Sequence, residues 1–161
     1  MFKIKYKTLI NLILLFSIFA LCAAYFIQYV LKHEPCNLCL IERLPYIFSI
    51  LIIILFLIIQ KYERYVFILL SLIFIMATIL SFYHFGIEQG FFKESIFCFT
   101  NNETSNLSSE ELLKELQKKT ISCRDVSFKF FGLSLTLINM IASIVLSIIT
   151  IKTFLNYEKN R

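Results

Sequence analysis

Cys36 and Cys39 stand two residues apart in the stretch Pro35-Cys36-Asn37-Leu38-Cys39-Leu40-Ile41-Glu42-Arg43-Leu44-Pro45-Tyr46, which also holds both prolines of the chain. A disulfide across so short an interval closes almost no loop, so it is a poor structural staple. At the start of a helix the same spacing suits redox chemistry. The positive end of the helix dipole and a nearby cation both favour thiolate, the nucleophile of thiol–disulfide exchange. If a helix runs through this stretch, Cys36, Cys39 and Arg43 fall at i, i+3 and i+7 on one face, and Arg43 supplies that cation. The plainer reading of Arg43 is an interfacial side chain that snorkels or pairs with Glu42.

Three further cysteines are Cys22, Cys98 and Cys123. Cys22 lies in an apolar run and reads as a buried, chemically idle thiol. Cys98 and Cys123 flank a polar stretch, where a bridge between them would serve either structure or exchange. A structural zinc site of four cysteines shows two close pairs. Here residues 99–122 separate the second pair, so no metal is expected.

The elements that must position these thiols are membrane helices. The chain has 161 residues, of which 58% are hydrophobic and only 17% charged, with a mean hydropathy of +0.77. A soluble domain is about 45–50% apolar and about 25% charged, so this excess does not fit one small core. Four apolar segments reach the roughly 20 residues that span a bilayer: about Leu9 to Leu31, Leu40 to Ile59, Tyr65 to Tyr83 and Phe130 to Ile151. Isoleucine is abundant in them, yet open strands cannot cross lipid with unpaired backbone groups, so helices are expected. The fold class predicted is an all-α, four-helix membrane bundle forming a single domain over 1–161, with a short loop at about 32–39 and a long one at about 84–129. The apolar N-terminal run is longer than a signal-peptide core and is followed by three more spans, so it reads as an uncleaved first helix.

The net charge of +5 would suggest nucleic acid in a soluble chain, but here its distribution decides. Lys3, Lys5 and Lys7 precede the first span, Lys61 and Arg64 fill the turn between the second and third, and Lys152, Lys159 and Arg161 follow the fourth. The positive-inside rule places both termini and that turn in the cytoplasm, and the two remaining loops outside. Cys36, Cys39, Cys98 and Cys123 then all lie on the outer side, where disulfides persist. Pro35 suits the first turn of the second helix, and Pro45 inside it should leave the Ile41 carbonyl without its helical partner and kink the helix. In the long loop, Ser108 and Glu111 have capping-box spacing before Leu112, Leu113 and Leu116, which predicts a short amphipathic helix at about Ser109 to Lys119. Two redox-capable pairs at one membrane face suggest a relay, with the loop pair serving a protein partner and the other a lipid-soluble one. No nucleotide-binding motif is present, and a quinone is the simplest electron acceptor.

At residues 36–46 the chain resembles the active-site signature of the DsbB family of bacterial inner-membrane thiol oxidases. Tyr83-His84-Phe85-Gly86-Ile87-Glu88-Gln89-Gly90 with Cys98 downstream, and Cys123 followed by Phe130-Phe131-Gly132-Leu133-Ser134-Leu135 and Asn139, extend the resemblance over nearly the whole chain. Phe128 and Ile138 stand where the family has tryptophan. The resemblance implies a protein-disulfide:quinone oxidoreductase with Cys36, Cys39, Cys98 and Cys123 as catalytic residues, paired Cys36–Cys39 and Cys98–Cys123. It implies that Cys98 forms a mixed disulfide with a periplasmic DsbA-like thioredoxin-fold protein and that Cys123 attacks Cys36. Cys39 would then face a bound ubiquinone or menaquinone, with Arg43 beside the ring and His84 on the quinone side. It also implies a multi-pass protein of the inner membrane that supports disulfide formation in exported proteins and binds no nucleic acid. Two other readings are a vitamin K epoxide reductase-like enzyme, whose C-x-x-C lies at a later helix, and a non-catalytic assembly factor with structural disulfides.

Overall fold

The computed structural model describes residues 2–59, 63–93, 98, 123, 129–130 and 132–159, with side chains omitted at 2–5 and 129–130. The amphipathic helix expected at about 109–119, its Ser108–Glu111 box, Lys61 and Phe128 lie outside the described residues. Among the described residues five helices and one hairpin follow in order: α1 (Phe2–Tyr29), α2 (Asn37–Ile41), α3 (Leu44–Ile59), α4 (Glu63–Glu88), β1 (Lys129–Phe130), β2 (Leu133–Ser134) and α5 (Leu135–Lys159). Four stretches of the described residues are long and apolar enough to cross a membrane: Tyr6–Tyr29, Asn37–Ile59, Glu63–Glu88 and Leu135–Lys159. The chain is a nearly all-helical, multi-pass membrane protein of the four-helix type expected.

The broadest packing is between α4 and α5, with α3 leaning on α4 and α1 on α3. Ile53, Phe67, Leu70 and Phe74 are fully enclosed between them, whereas Phe19, Ile58, Met76 and Phe82 point outward. That inversion is what a lipid solvent permits, since lipid tails are as apolar as leucine and do not drive such side chains inward. The helices instead hold together through shape and small polar groups. Ser17 of α1 and Ser49 of α3 share a buried hydroxyl contact of 3.0 Å. Ser71, Thr150 and Thr153 each donate to the carbonyl four residues back, so no hydroxyl is left unsatisfied at these buried positions. Cys22, expected to be buried, is exposed on the outward side of α1, because apolarity in this sequence marks contact with lipid as well as core.

Three element boundaries set the geometry of the thiol end. Pro45 lacks the N–H that would continue α2 into α3, and the helix breaks at Glu42 and Arg43. The chain re-forms through a tight bond from Arg43 N to Leu40 O (3.2 Å) and resumes with Ile47 N to Arg43 O (3.1 Å). Next, α4 runs past Tyr83 to Glu88. It stops at Gly90 (φ 79°), whose N–H bonds Ile87 O at 3.0 Å while Phe91 N bonds Gly86 O at 2.8 Å. This is the left-handed Schellman ending that glycine favours. His84 therefore sits on a transmembrane helix and not in the loop expected from residue 84. Finally, α5 begins at Leu135 and not at Phe130, because the chain first forms the hairpin pairing Lys129 with Ser134 and Phe130 with Leu133. Gly132 (φ 80°) supplies its turn. Ser134 then caps α5, its Oγ accepting from Leu137 N at 3.2 Å. Ser134→Ala is expected to lower stability by about 1 kcal/mol, read as a lower thermal midpoint in detergent.

Candidate active site

Cys36 caps α2: its backbone is extended (φ −70°, ψ 166°) and its Sγ accepts from the Cys39 backbone N at 3.3 Å. The Cys36 and Cys39 sulfurs lie 2.9 Å apart. Cys98 and Cys123 come in over the same point, buried with Cys36, Leu38 and Ile87 and packed against Cys39 and Tyr83. Cys123 is within hydrogen-bonding reach of both Cys36 and Cys98. All four thiols expected to act are therefore brought together in the order Cys98, Cys123, Cys36, Cys39, and Cys22 is free elsewhere. The hydrogen bond from Cys123, and next that from Cys39, draw the Cys36 thiol well below the usual cysteine range against the opposing effect of burial. The same contact with Cys36, reinforced by burial, pushes Cys123 up. Hydrogen bonding within the reduced cluster therefore favours thiolate at Cys36, which lies between Cys123 and Cys39.

Beneath the sulfurs is a buried polar network. His84 Nε2 lies 3.5 Å from Cys36 Sγ, and His84 Nδ1 lies 2.9 Å from Glu42 Oε1. The other Glu42 oxygen accepts from Asn139 Nδ2 at 2.9 Å. Asn139 Nδ2 also donates to Ser81 Oγ (2.9 Å), and Asn139 Oδ1 accepts from Tyr46 OH (2.6 Å). Glu42 and His84 are only 8% and 2% exposed, so each depends on these partners for its polar bonds. The break at Pro45 makes this possible by turning Glu42 inward toward α4 and α5.

Arg43 leaves by the opposite side of the same turn. Its guanidinium donates to Gln28 Oε1 at 2.6 Å and lies 4.9 Å over the Tyr25 ring, both on α1. The expected alternative pairing of Arg43 with Glu42 is not formed, because Glu42 is committed to His84 and Asn139. Arg43, Cys39, Gln28 and His84 share the wall of a cavity of about 340 Å³ lined mainly by apolar side chains of α1 and α5, among them Phe16, Ala24 and Ile138. Its size and its few convergent polar groups suit a flat organic ring with an apolar tail. Cys36, Cys39 and His84 also present ligand atoms within 4.8 Å of one another, a set of two thiols and one imidazole that leaves a tetrahedral ion one ligand short.

Glu42, Gln28, Ser81 and Tyr46 were not singled out as site residues from sequence, and Asn139 only as part of a matching segment. The available signal was a carboxylate placed within an apolar span, which is costly there unless partnered.

A four-helix membrane protein whose thiols converge at one end of the bundle, beside a lipid-like cavity, belongs to the class of membrane thiol oxidoreductases. Residues 6–153 match the family described as disulfide bond formation protein DsbB, and the chain is a member of that family. It is also similar to the uncharacterized protein RP370 of Rickettsia prowazekii (strain Madrid E), 32% identical over 148 residues that cover 91% of this chain and 86% of that protein. No solved structure matches it. Family membership makes the chain an oxidoreductase of disulfide formation.

Proposed function

We propose that the protein oxidises a periplasmic DsbA-like thioredoxin-fold protein and passes the electrons to a membrane ubiquinone or menaquinone. The observation behind this reading is the contiguous cluster of four sulfurs, of which Cys36, Cys39 and Cys123 line the cavity. The charge asymmetry of the termini supports an inner-membrane orientation with both termini cytoplasmic and the cysteines periplasmic.

In the proposed cycle, a partner thiolate attacks Cys98 of a Cys98–Cys123 disulfide, and Cys123 leaves as thiolate. The second partner thiol displaces Cys98, and the partner departs oxidised. Cys123 then attacks Cys36 of a Cys36–Cys39 disulfide and releases Cys39. Attack of Cys98 on Cys123 restores the first disulfide and frees Cys36. The net result moves two electrons and two protons from the partner dithiol to the Cys36–Cys39 dithiol. A quinone bound in the cavity would accept the two electrons and two protons that leave the dithiol when the Cys36–Cys39 disulfide re-forms. Cys36 lends its electron pair to the bond re-formed with Cys39, and Arg43, which lines the same cavity, would hold a carbonyl oxygen of the ring.

Loading membranes that contain the protein with reduced thioredoxin-fold partner, with quinone supplied or depleted, tests this reading. Oxidation of the partner at the same rate under both conditions would overturn it. Arg43→Met should raise KM for quinone about tenfold with a smaller change in kcat, in line with losing one charge-assisted hydrogen bond. Steady-state quinol formation measures that split.

A further inference from the structure

The pair Glu42–His84 is held more firmly than a spacer between helices requires. Its carboxylate is fixed from two helices, by His84 on α4 and Asn139 on α5, while Tyr46 on α3 and Ser81 on α4 fix Asn139 in turn. The imidazole nitrogen not used by Glu42 is the one directed at Cys36. A carboxylate, an imidazole and a thiol in line, with the imidazole between, form the arrangement in which a base takes a proton from a nucleophile and an acid residue holds the resulting cation.

We propose that His84 takes the proton of Cys36 and that Glu42 acts as the positioning residue that keeps His84 able to hold it. This deepens the thiol-relay reading given above and rests on Cys36 being one of its redox cysteines. In the step, the Cys36 S–H bond breaks and an N–H bond forms at His84 Nε2. The electron pair stays on sulfur, and the Glu42 carboxylate balances the imidazolium through Nδ1–H. No oxidant or reductant is consumed. An ion pair inside a bundle is unfavourable when either charge stands alone. Here the thiolate, imidazolium and carboxylate alternate in sign along one line, and the Cys36 charge further accepts hydrogen bonds from Cys123 and Cys39. His84 also lines the cavity, so the stored proton sits beside the space where the electron pair is delivered. This differs from a role for His84 as a quinone contact alone, because it assigns Nε2 to sulfur.

The titratable groups facing the pair are Cys36, Cys39 and Cys123 at the thiol end and Tyr46 from α3. Arg43 is turned to Gln28 and Tyr25 on α1. Glu88, one helical turn beyond His84, shares the cavity wall and has one buried oxygen without a hydrogen-bond partner among the described residues.

The test uses the full chain, reduced, in quinone-free lipid nanodiscs. Iodoacetamide alkylation of Cys36 is followed across pH, with the modified residue located by mass spectrometry. In the unaltered protein Cys36 should react as a thiolate at neutral pH. Glu42→Gln and His84→Gln should each slow it about tenfold at neutral pH and move the rise in rate to higher pH, whereas Glu42→Asp should recover most of the reactivity. A profile that keeps its pH dependence in both variants, or a rate lowered by one factor at every pH, would overturn the proposal and leave the pair a structural one. A second readout requires no change at the pair. Nitrogen-labelled histidine signals, with His33 assigned by His33→Gln, should show His84 as imidazolium in the reduced protein and lose that signature in Cys36→Ser. A neutral His84 in the reduced protein at neutral pH would contradict it. Neither measurement involves quinone, so the proton pair and the quinone reading fail separately.

Discussion

Cys39→Ser is expected to abolish quinone reduction, by at least about a thousandfold, while Cys98 and Cys123 continue to exchange with a reduced thioredoxin-fold partner. The loss is large because a catalytic thiol and its partner act as a unit, so removing one removes the reaction. Cys39 lies 2.9 Å from Cys36 and lines the cavity, as Cys36 itself and Cys123 do. Without it, Cys36 has no adjacent sulfur with which to form a bond as electrons leave. The outer pair is unaffected in chemistry, since Cys123 reaches Cys98 independently of Cys39. Stopped-flow quinone absorbance measures the first half of the prediction, and acid-trapped mixed disulfide with the partner measures the second. Continued turnover of quinone by Cys39→Ser protein would contradict the assignment.

Cys123→Ser should divide the relay at the other joint. Oxidation of a protein partner should fall at least about a thousandfold, because Cys123 is the sulfur between the two pairs. Reduction of quinone driven by dithiothreitol should persist within a few-fold, because a small dithiol can reach the Cys36–Cys39 disulfide directly through the cavity. A serine hydroxyl can still donate to Cys36, so the thiolate there is weakened and not lost. Parallel assays with the two reductants give the answer. Equal loss with both would mean that Cys123 supports the fold of the site, and equal retention would mean that electrons do not pass through it.

The fold and the sulfur cluster were legible in the sequence to different depths and for different reasons. Hydropathy found all four spans because lipid is a uniform solvent and any helix in it must be apolar over its length. It did not find where α4 ends, because the helix continues through polar His84 and Glu88 until Gly90 offers a left-handed stop. Nor did it find the hairpin before α5, whose residues Phe130 and Leu133 are as apolar as the helix that follows. Pro45 was a reliable mark, since a missing N–H within a longer apolar span acts locally and ends the preceding helix there. Pro35 likewise marked a helix start at the cysteine pair, although it lies just before the Cys36 cap and not in the first turn of α2. The stripe expected to include Arg43 is altered by that same break, which sends Glu42 and Arg43 to opposite sides.

Contacts between distant residues were the least legible. His84 was expected on the quinone side; it lines the cavity and also lies between Cys36 and Glu42. Nothing in the spacing of Glu42, His84 and Asn139 announces a network, because three helices must pack before these side chains meet. Glu42 was set aside as a partner for its neighbour Arg43, yet residues adjacent in a helix point about 100° apart and rarely pair. A lone carboxylate inside an apolar span is the stronger sign, and it asks for a partner on another helix.

The most direct test of the central claim is the electron balance of the unaltered protein in nanodiscs of defined lipid. Reduced thioredoxin-fold partner is mixed with protein and quinone, and partner disulfide and quinol are counted together over many turnovers. One quinol per partner disulfide, with turnover ceasing when quinone is withheld, is the result expected of a relay from Cys98 and Cys123 through Cys36 and Cys39. Partner oxidation that proceeds without quinone, or quinol that accumulates out of step with partner disulfide, would contradict it.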